Sequence, residues 1–97
     1  MKYMVQIEID PETGADIEEN PQEIMKVTQM WQALKPIGMY FHSSRRAITI
    51  IVEAPNEDPL FEALHATWVL TRSYPEISPV VTAEEFPAML KRVGIGG

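Results

Sequence analysis

The chain has no cysteine, which excludes disulfides, thiolate metal sites and thiol catalysis. It also lacks any apolar run of the about 18 residues that a membrane-spanning helix requires. Basic residues are scarce: 8 Lys plus Arg stand against 14 Asp plus Glu, for a formal net charge of −6. A nucleic-acid surface needs the opposite balance, so no nucleic-acid partner is expected. The first residues reach Gln6 and Glu8 after a short apolar stretch. That is not the pattern of a signal peptide, and the expected location is the cytoplasm.

What is present fits one small domain over residues 1–97. A chain of this size buries roughly 60–70% of its unfolded surface, enough for a single core. The acidity is concentrated at the front. Met1 to Met30 carries seven acids and two lysines, and the stretch from Glu8 to Glu23 has no basic residue.

Lys2 to Ile9 alternates, with Tyr3, Val5, Ile7 and Ile9 on one side and Met4, Gln6 and Glu8 on the other. This period of two predicts a strand with one apolar face. Asp10-Pro11 and Gly14 punctuate its end, so the acidic stretch to Asn20 is expected to be a loop. Asn20-Pro21-Gln22-Glu23 predicts a capped helix start. Ile24, Val27, Met30, Trp31 and Leu34 then form its apolar stripe, with Pro36 and Gly38 closing it.

Met39 to Ser43 and Ala47 to Ala54 predict a hairpin around Ser43 to Arg46. An even turn pairs Phe41 with Ile48, Tyr40 with Thr49 and Met39 with Ile50, and opposed residues share a face. Asp58-Pro59 repeats the helix-start device, with Leu60, Phe61, Leu64, Trp68 and Thr71 as the expected buried stripe. Ile77 to Thr82 predicts a fourth strand, restricted to an edge by Pro79. Thr82 to Glu85 predicts a capping box for a short helix ending near Val93, with Gly94 to Gly97 expected to fray.

The order is strand, helix, strand, strand, helix, strand. This is an α+β class chain in the ferredoxin-like βαββαβ pattern: an antiparallel four-stranded sheet, two helices on one face and a short C-terminal helix. The opposite face would carry Met4, Gln6, Glu8, Tyr40, His42, Thr49, Ile51 and Glu53. That mixture holds too many large apolar groups for a solvated surface. A homodimer closed through this open face is the expected cover, with a small-molecule cavity between the sheets.

Tyr3-Met4-Val5-Gln6-Ile7, the Tyr40-Phe41-His42 strand and the segments Asn56 to Leu70 and Ile77 to Val81 give the chain a resemblance to a known group. Over roughly Lys2 to Leu90 it resembles the dimeric α/β-barrel superfamily, and within it small muconolactone-isomerase-like proteins and uncharacterised bacterial relatives. The likeness is one of architecture, without a chemically defining motif. It implies a dimeric α/β barrel and a choice among isomerases, cofactor-free oxygenases, haem-degrading enzymes and members with no known activity, because fold does not fix reaction.

The sharpest candidate chemistry is Glu8 with His42 as a general acid/base pair and Tyr40 as donor to a developing oxyanion. Under cover, desolvation would push the carboxyl pKa up and the imidazole pKa down. Gln6 and Thr49 join them as candidate ligand-binding groups on the same face. Arg45 and Arg46, at the hairpin tip, are candidates for holding an anionic substrate. The chemistry expected is cofactor-free and isomerase-like. The alternative from the same residues is a non-catalytic binding or protein-interaction domain with a wet interface.

A further alternative is a haem-binding or oxygenase-like member, through His65 and Trp68. The simpler reading makes Trp68 core and His65 its border, with the two tryptophans and six methionines as core filler. No His pair or acid spacing matches a metal motif, so no metal or cofactor is expected. The terminal Gly96-Gly97 is similar to the end of ubiquitin-like sulfur carriers. Those folds begin with a hairpin and this chain does not, so a flexible tail is the reading taken.

Overall fold

Strict alternation produces β1, Lys2–Glu8, in which Tyr3, Val5 and Ile7 are buried. A computed structural model describes residues 1–95; the Gly96-Gly97 comparison lies outside the described residues. β2 is Gly38–Phe41, β3 is Ala47–Glu53 and β4 is Glu76–Val80. They form one antiparallel sheet in the order β2-β3-β1-β4. The hairpin register is the expected one, with Met39, Tyr40 and Phe41 opposite Ile50, Thr49 and Ile48. β4 is an edge strand, which lets Pro79 be accommodated without a donor on its outer side.

The helices are α1 (Pro11–Glu19), α2 (Pro21–Ala33), α3 (Phe61–Thr71) and α4 (Phe86–Arg92). A single 3-10 turn, Asp58–Leu60, leads into α3. The chain is therefore α+β, with a four-stranded antiparallel sheet and four helices among the described residues. None of these helices is long and apolar enough to cross a membrane.

α1 replaces the loop expected from Asp10 to Asn20. Asp10 caps it: its carboxylate accepts from the Thr13 backbone N–H at 2.7 Å and from the Thr13 hydroxyl at 2.9 Å. These bonds, the backbone one foremost, hold the Asp10 carboxyl below the usual carboxylate range. Pro11 takes the first helical position, where a missing N–H costs nothing. The Asp-Pro dipeptide thus acts as a capped helix start here, whereas Asp58-Pro59 opens the 3-10 turn before α3 without a side-chain cap. At Asn20 the expected side-chain cap is absent, and its amide donates back to the Asp16 carbonyl at 3.2 Å.

The core lies between the sheet and α2 and α3. Val27 and Trp31 of α2 meet Leu60 and Ala63 over Tyr3, Val5, Ile7, Ile48, Ile50 and Val52. Of the expected stripe, Leu60 and Thr71 are buried and Leu64 packs partly on the core, but Ala63 and Thr67 take the inward places instead of Phe61 and Trp68. Trp31 supplies the reason. Its indole is 1% exposed, and its Nε1–H donates to the Thr67 hydroxyl at 2.8 Å. A ring of that size needs small side chains opposite it, so α3 turns Ala63 and Thr67 inward and leaves Phe61 68% exposed. The Thr67 hydroxyl donates in turn to the Ala63 carbonyl at 2.7 Å, so no polar atom of the pair is orphaned. Of the methionines, Met30 and Met39 pack on the core, whereas Met25 is exposed.

α4 stands apart. None of its residues is buried. The expected capping box does form, with the Glu85 carboxylate accepting from the Thr82 N–H at 3.2 Å and the Thr82 hydroxyl accepting from the Glu85 N–H at 3.1 Å. Lys2 Nζ also donates to Glu85 at 2.9 Å. At the other end the Gly94 and Ile95 N–H groups bond back to Lys91 and Leu90, with Gly94 at φ 77°. Gly94 and Ile95 therefore close the helix, a role that needs a glycine-like left-handed turn. The molecule is 55 Å along its longest axis and has a radius of gyration of 15.6 Å, against about 13 Å for a compact globule of this length.

Two predictions follow from this packing. Thr67→Val keeps the shape but leaves the Trp31 N–H buried and unpaired, and should lower unfolding free energy by about 1–3 kcal/mol in urea. Unchanged stability would show that the indole finds another acceptor. The second concerns pH. Hydrogen bonds from Lys2 and Thr82 hold the Glu85 carboxyl down at about 2, from an ordinary 4.5. The stability it gives the α4 attachment is full above 4.5 and is lost as pH falls through about 2. Glu85 holds the Lys2 ammonium above its ordinary 10.5, so the same attachment also weakens above that pH. Protection factors in α4, corrected for the intrinsic pH dependence of amide exchange, should fall at both extremes, and a flat profile would refute the tether.

Candidate functional site

The register of four strands assembles one row on the open sheet face. Tyr40, Thr49, Gln6 and Glu76 are successive Cα partners across β2, β3, β1 and β4. Opposed residues on neighbouring strands share a face, so these side chains emerge together. Met4 and Ile51, one step along, give the face its half-buried apolar part.

At the hairpin end of this row is a polar depression of about 140 Å³ lined by Gln6, Glu8, His42, Arg45 and Thr49. His42 is held at both ends. Its backbone N–H donates to the Ala47 carbonyl at 2.9 Å, and its ring Nε2 lies 2.8 Å from the Thr49 hydroxyl. Glu8, the last residue of β1, pairs with Arg45 at 2.8 Å. Thus five of the candidate residues converge, but Glu8 is engaged by a guanidinium while His42 is engaged by a hydroxyl. Both are exposed in the single chain, so the desolvation expected of a covered site is not supplied by the chain's own packing.

Tyr40 belongs to the same row but is 61% exposed and does not line the depression. Arg46 faces the other way. It pairs with Glu18 of α1 at 2.9 Å and donates to the Pro11 carbonyl at 2.9 Å. Tyr74 and Glu76 complete the rim, and neither was singled out from the sequence. The β1–β4 register that places Glu76 beside Gln6 was the missing signal.

His65 and Trp68 lie elsewhere, on the outer side of α3. Their ring centroids are 5.5 Å apart; His65 also stacks on Phe61 at 6.1 Å, and Trp68 on Tyr74 at 5.2 Å. Trp68 is half-buried in this ladder and is not part of the core, which corrects its expected place. Among the described residues, no three His, Asp or Glu side chains are grouped to hold a metal ion.

Sheet, helix layer and rim define an α+β domain with a polar depression at one end of its open sheet face. By sequence, the chain belongs to the family described as domain of unknown function DUF3303, whose model matches residues 1–94. No curated protein and no solved structure matches the chain.

The ring–hydroxyl contact makes a direct prediction. Thr49→Val removes the partner of Nε2, so the two imidazole tautomers should approach their free-histidine ratio in ¹⁵N spectra. A wild-type-like spectrum in that variant would show that Thr49 does not orient the ring.

Proposed function

We propose that the chain is a ferredoxin-like domain that works as a homodimer of the dimeric α/β-barrel type. The two open sheet faces enclose a small-molecule site for cofactor-free, isomerase-like proton transfer. The observation that carries this reading is the oriented His42 ring beside the Glu8–Arg45 pair in the polar depression. In the tautomer that donates Nε2–H to Thr49, Nδ1 holds the lone pair. Nδ1 then takes a proton from a carbon next to a carbonyl and returns it to another carbon, with no net change in the protein. Gln6 is placed to position the ligand, and Arg45 to receive an anionic group.

The homodimer is supported by the exposure of Tyr40 beside half-buried Met4 and Ile51, and by an α4 without buried residues. A second sheet over this face would supply the desolvation that general acid/base chemistry uses. A cysteine-free chain suits a cytoplasmic setting. The reading requires no cofactor.

The second reading, a non-catalytic small-molecule or protein-interaction domain, draws on one observation: the Glu8 carboxylate is paired with Arg45 and not with His42. The haem reading gains no support, since the His65 ring stacks on Phe61 and lies tilted against Trp68.

Light scattering at micromolar concentration should return twice the chain mass, and a monomer would overturn the enclosed-site reading. Deuterium exchange into small enolisable lactones should be abolished in His42→Ala and reduced in Glu8→Gln. If both variants leave binding and exchange untouched, the assignment of these residues fails.

A further inference from the structure

A second cavity lies on the helix side of the same hairpin. Between α1, the start of α2 and the hairpin is a cleft of about 390 Å³. Ile9, Ile17, Ile24, Phe41 and Ile48 wall it, and Arg46 stands at its rim. Phe41 marks it most clearly. Its register puts it opposite buried Ile48, on the face the helices cover, yet it is 61% exposed. The volume falls within the roughly 300–1,000 Å³ of small-ligand pockets.

The cation at the rim is fixed by its surroundings. Arg46 Nη1 donates to the Pro11 carbonyl and Nη2 to the Glu18 carboxylate, each at 2.9 Å, and both partners belong to α1. The side chain lies across Gly14 so closely that a Cβ at that position would collide with its aliphatic and guanidinium atoms. A glycine inside a helix is less favourable than alanine; here it clears the bed in which the arginine lies. The two contacts use two of the five guanidinium N–H donors.

Apolar walls that end in an oriented guanidinium match one kind of molecule. An apolar body loses water contact along the isoleucines, and a single carboxylate takes the remaining N–H donors or displaces exposed Glu18. A neutral amphiphile would leave the remaining guanidinium donors unmatched by a charge, and a small anion would leave the walls wet. We propose that this cleft binds a medium-chain alkanoate, carboxylate on Arg46 and chain along Ile9, Ile17 and Ile24. This goes beyond the proton-transfer reading and does not depend on it. The two cavities share His42, Arg45, Ala47 and Ile48 at the hairpin, but the cleft's isoleucine walls lie on the helix side of the sheet and need no second chain.

The test is titration of the full chain with octanoate, and with 1-octanol as the uncharged analogue, followed by amide and methyl NMR shifts and by calorimetry. Octanoate should shift the resonances of Ile9, Ile17, Ile24 and Phe41 and bind at least tenfold more tightly than 1-octanol. Arg46→Gln should reduce octanoate affinity about tenfold and leave 1-octanol unchanged. Gly14→Ala, which keeps every charge but evicts the arginine from its bed, should move octanoate in the same direction, with circular dichroism confirming the fold. The proposal is overturned if octanoate shifts map elsewhere, if 1-octanol binds equally well, or if both variants bind octanoate as the wild type does.

Discussion

The Trp31 indole sits between α2 and α3 where no water reaches it, and its N–H has one acceptor, the Thr67 hydroxyl. A buried indole donor without a partner is costly, and a buried indole ring without small neighbours cannot be packed. Both conditions fall on α3. They fix which of its sides faces the sheet, and Ala63, Thr67 and Thr71 occupy that side. Phe61, His65 and Trp68 are thereby turned outward, where they form a ladder that Tyr74 extends toward the polar depression. One hydrogen bond thus links the helix layer to a residue on the rim of the candidate site.

The second organising feature is the hairpin tip. Arg45 and Arg46 are adjacent in sequence and serve opposite sides of the sheet. Arg45 reaches Glu8 at the end of β1, and Arg46 reaches Glu18 on α1. Each arginine binds a carboxylate from the front third of the chain, which carries half of the fourteen acids. These exposed pairs contribute little to stability. Their effect is positional: each fixes one wall of a cavity, the polar depression on the open side and the apolar cleft on the helix side.

The sheet was largely legible in the sequence, because alternation sets the faces and turn parity sets the hairpin register. Gln6, Glu8, His42 and Thr49 could therefore be grouped from spacing alone, and the depression gathers them. α1 was not legible for a physical reason. Asp10-Pro11 both ends a strand and starts a helix, and Gly14 reads as a breaker unless its role beneath Arg46 is known. The face of α3 was hidden because its apolar spacing is overridden by a tryptophan on another helix. Arg45 and Arg46 could not be assigned to a side from the sequence, because adjacent residues of a bend carry no fixed alternation. Trp68 and the methionines show the limit of composition, since large apolar type alone does not place a residue in the core.

Glu8 and His42 illustrate why a shared face is not yet a shared mechanism. The Glu8 carboxylate is held by the Arg45 guanidinium at 2.8 Å, and the His42 ring by the Thr49 hydroxyl at 2.8 Å. With Glu8 so engaged, proton transfer would fall to the imidazole, whose Thr49 contact fixes the ring and leaves the other nitrogen available. Covering the face with a second sheet would lower the local dielectric and strengthen the Glu8–Arg45 attraction. That change would separate the two groups' duties further, with the ion pair as a fixed dipole and His42 as the one group that exchanges a proton. A non-catalytic domain would use the same pair only to recognise charge. Whether the open face is covered therefore decides between an imidazole at work in a closed site and a polar patch in water.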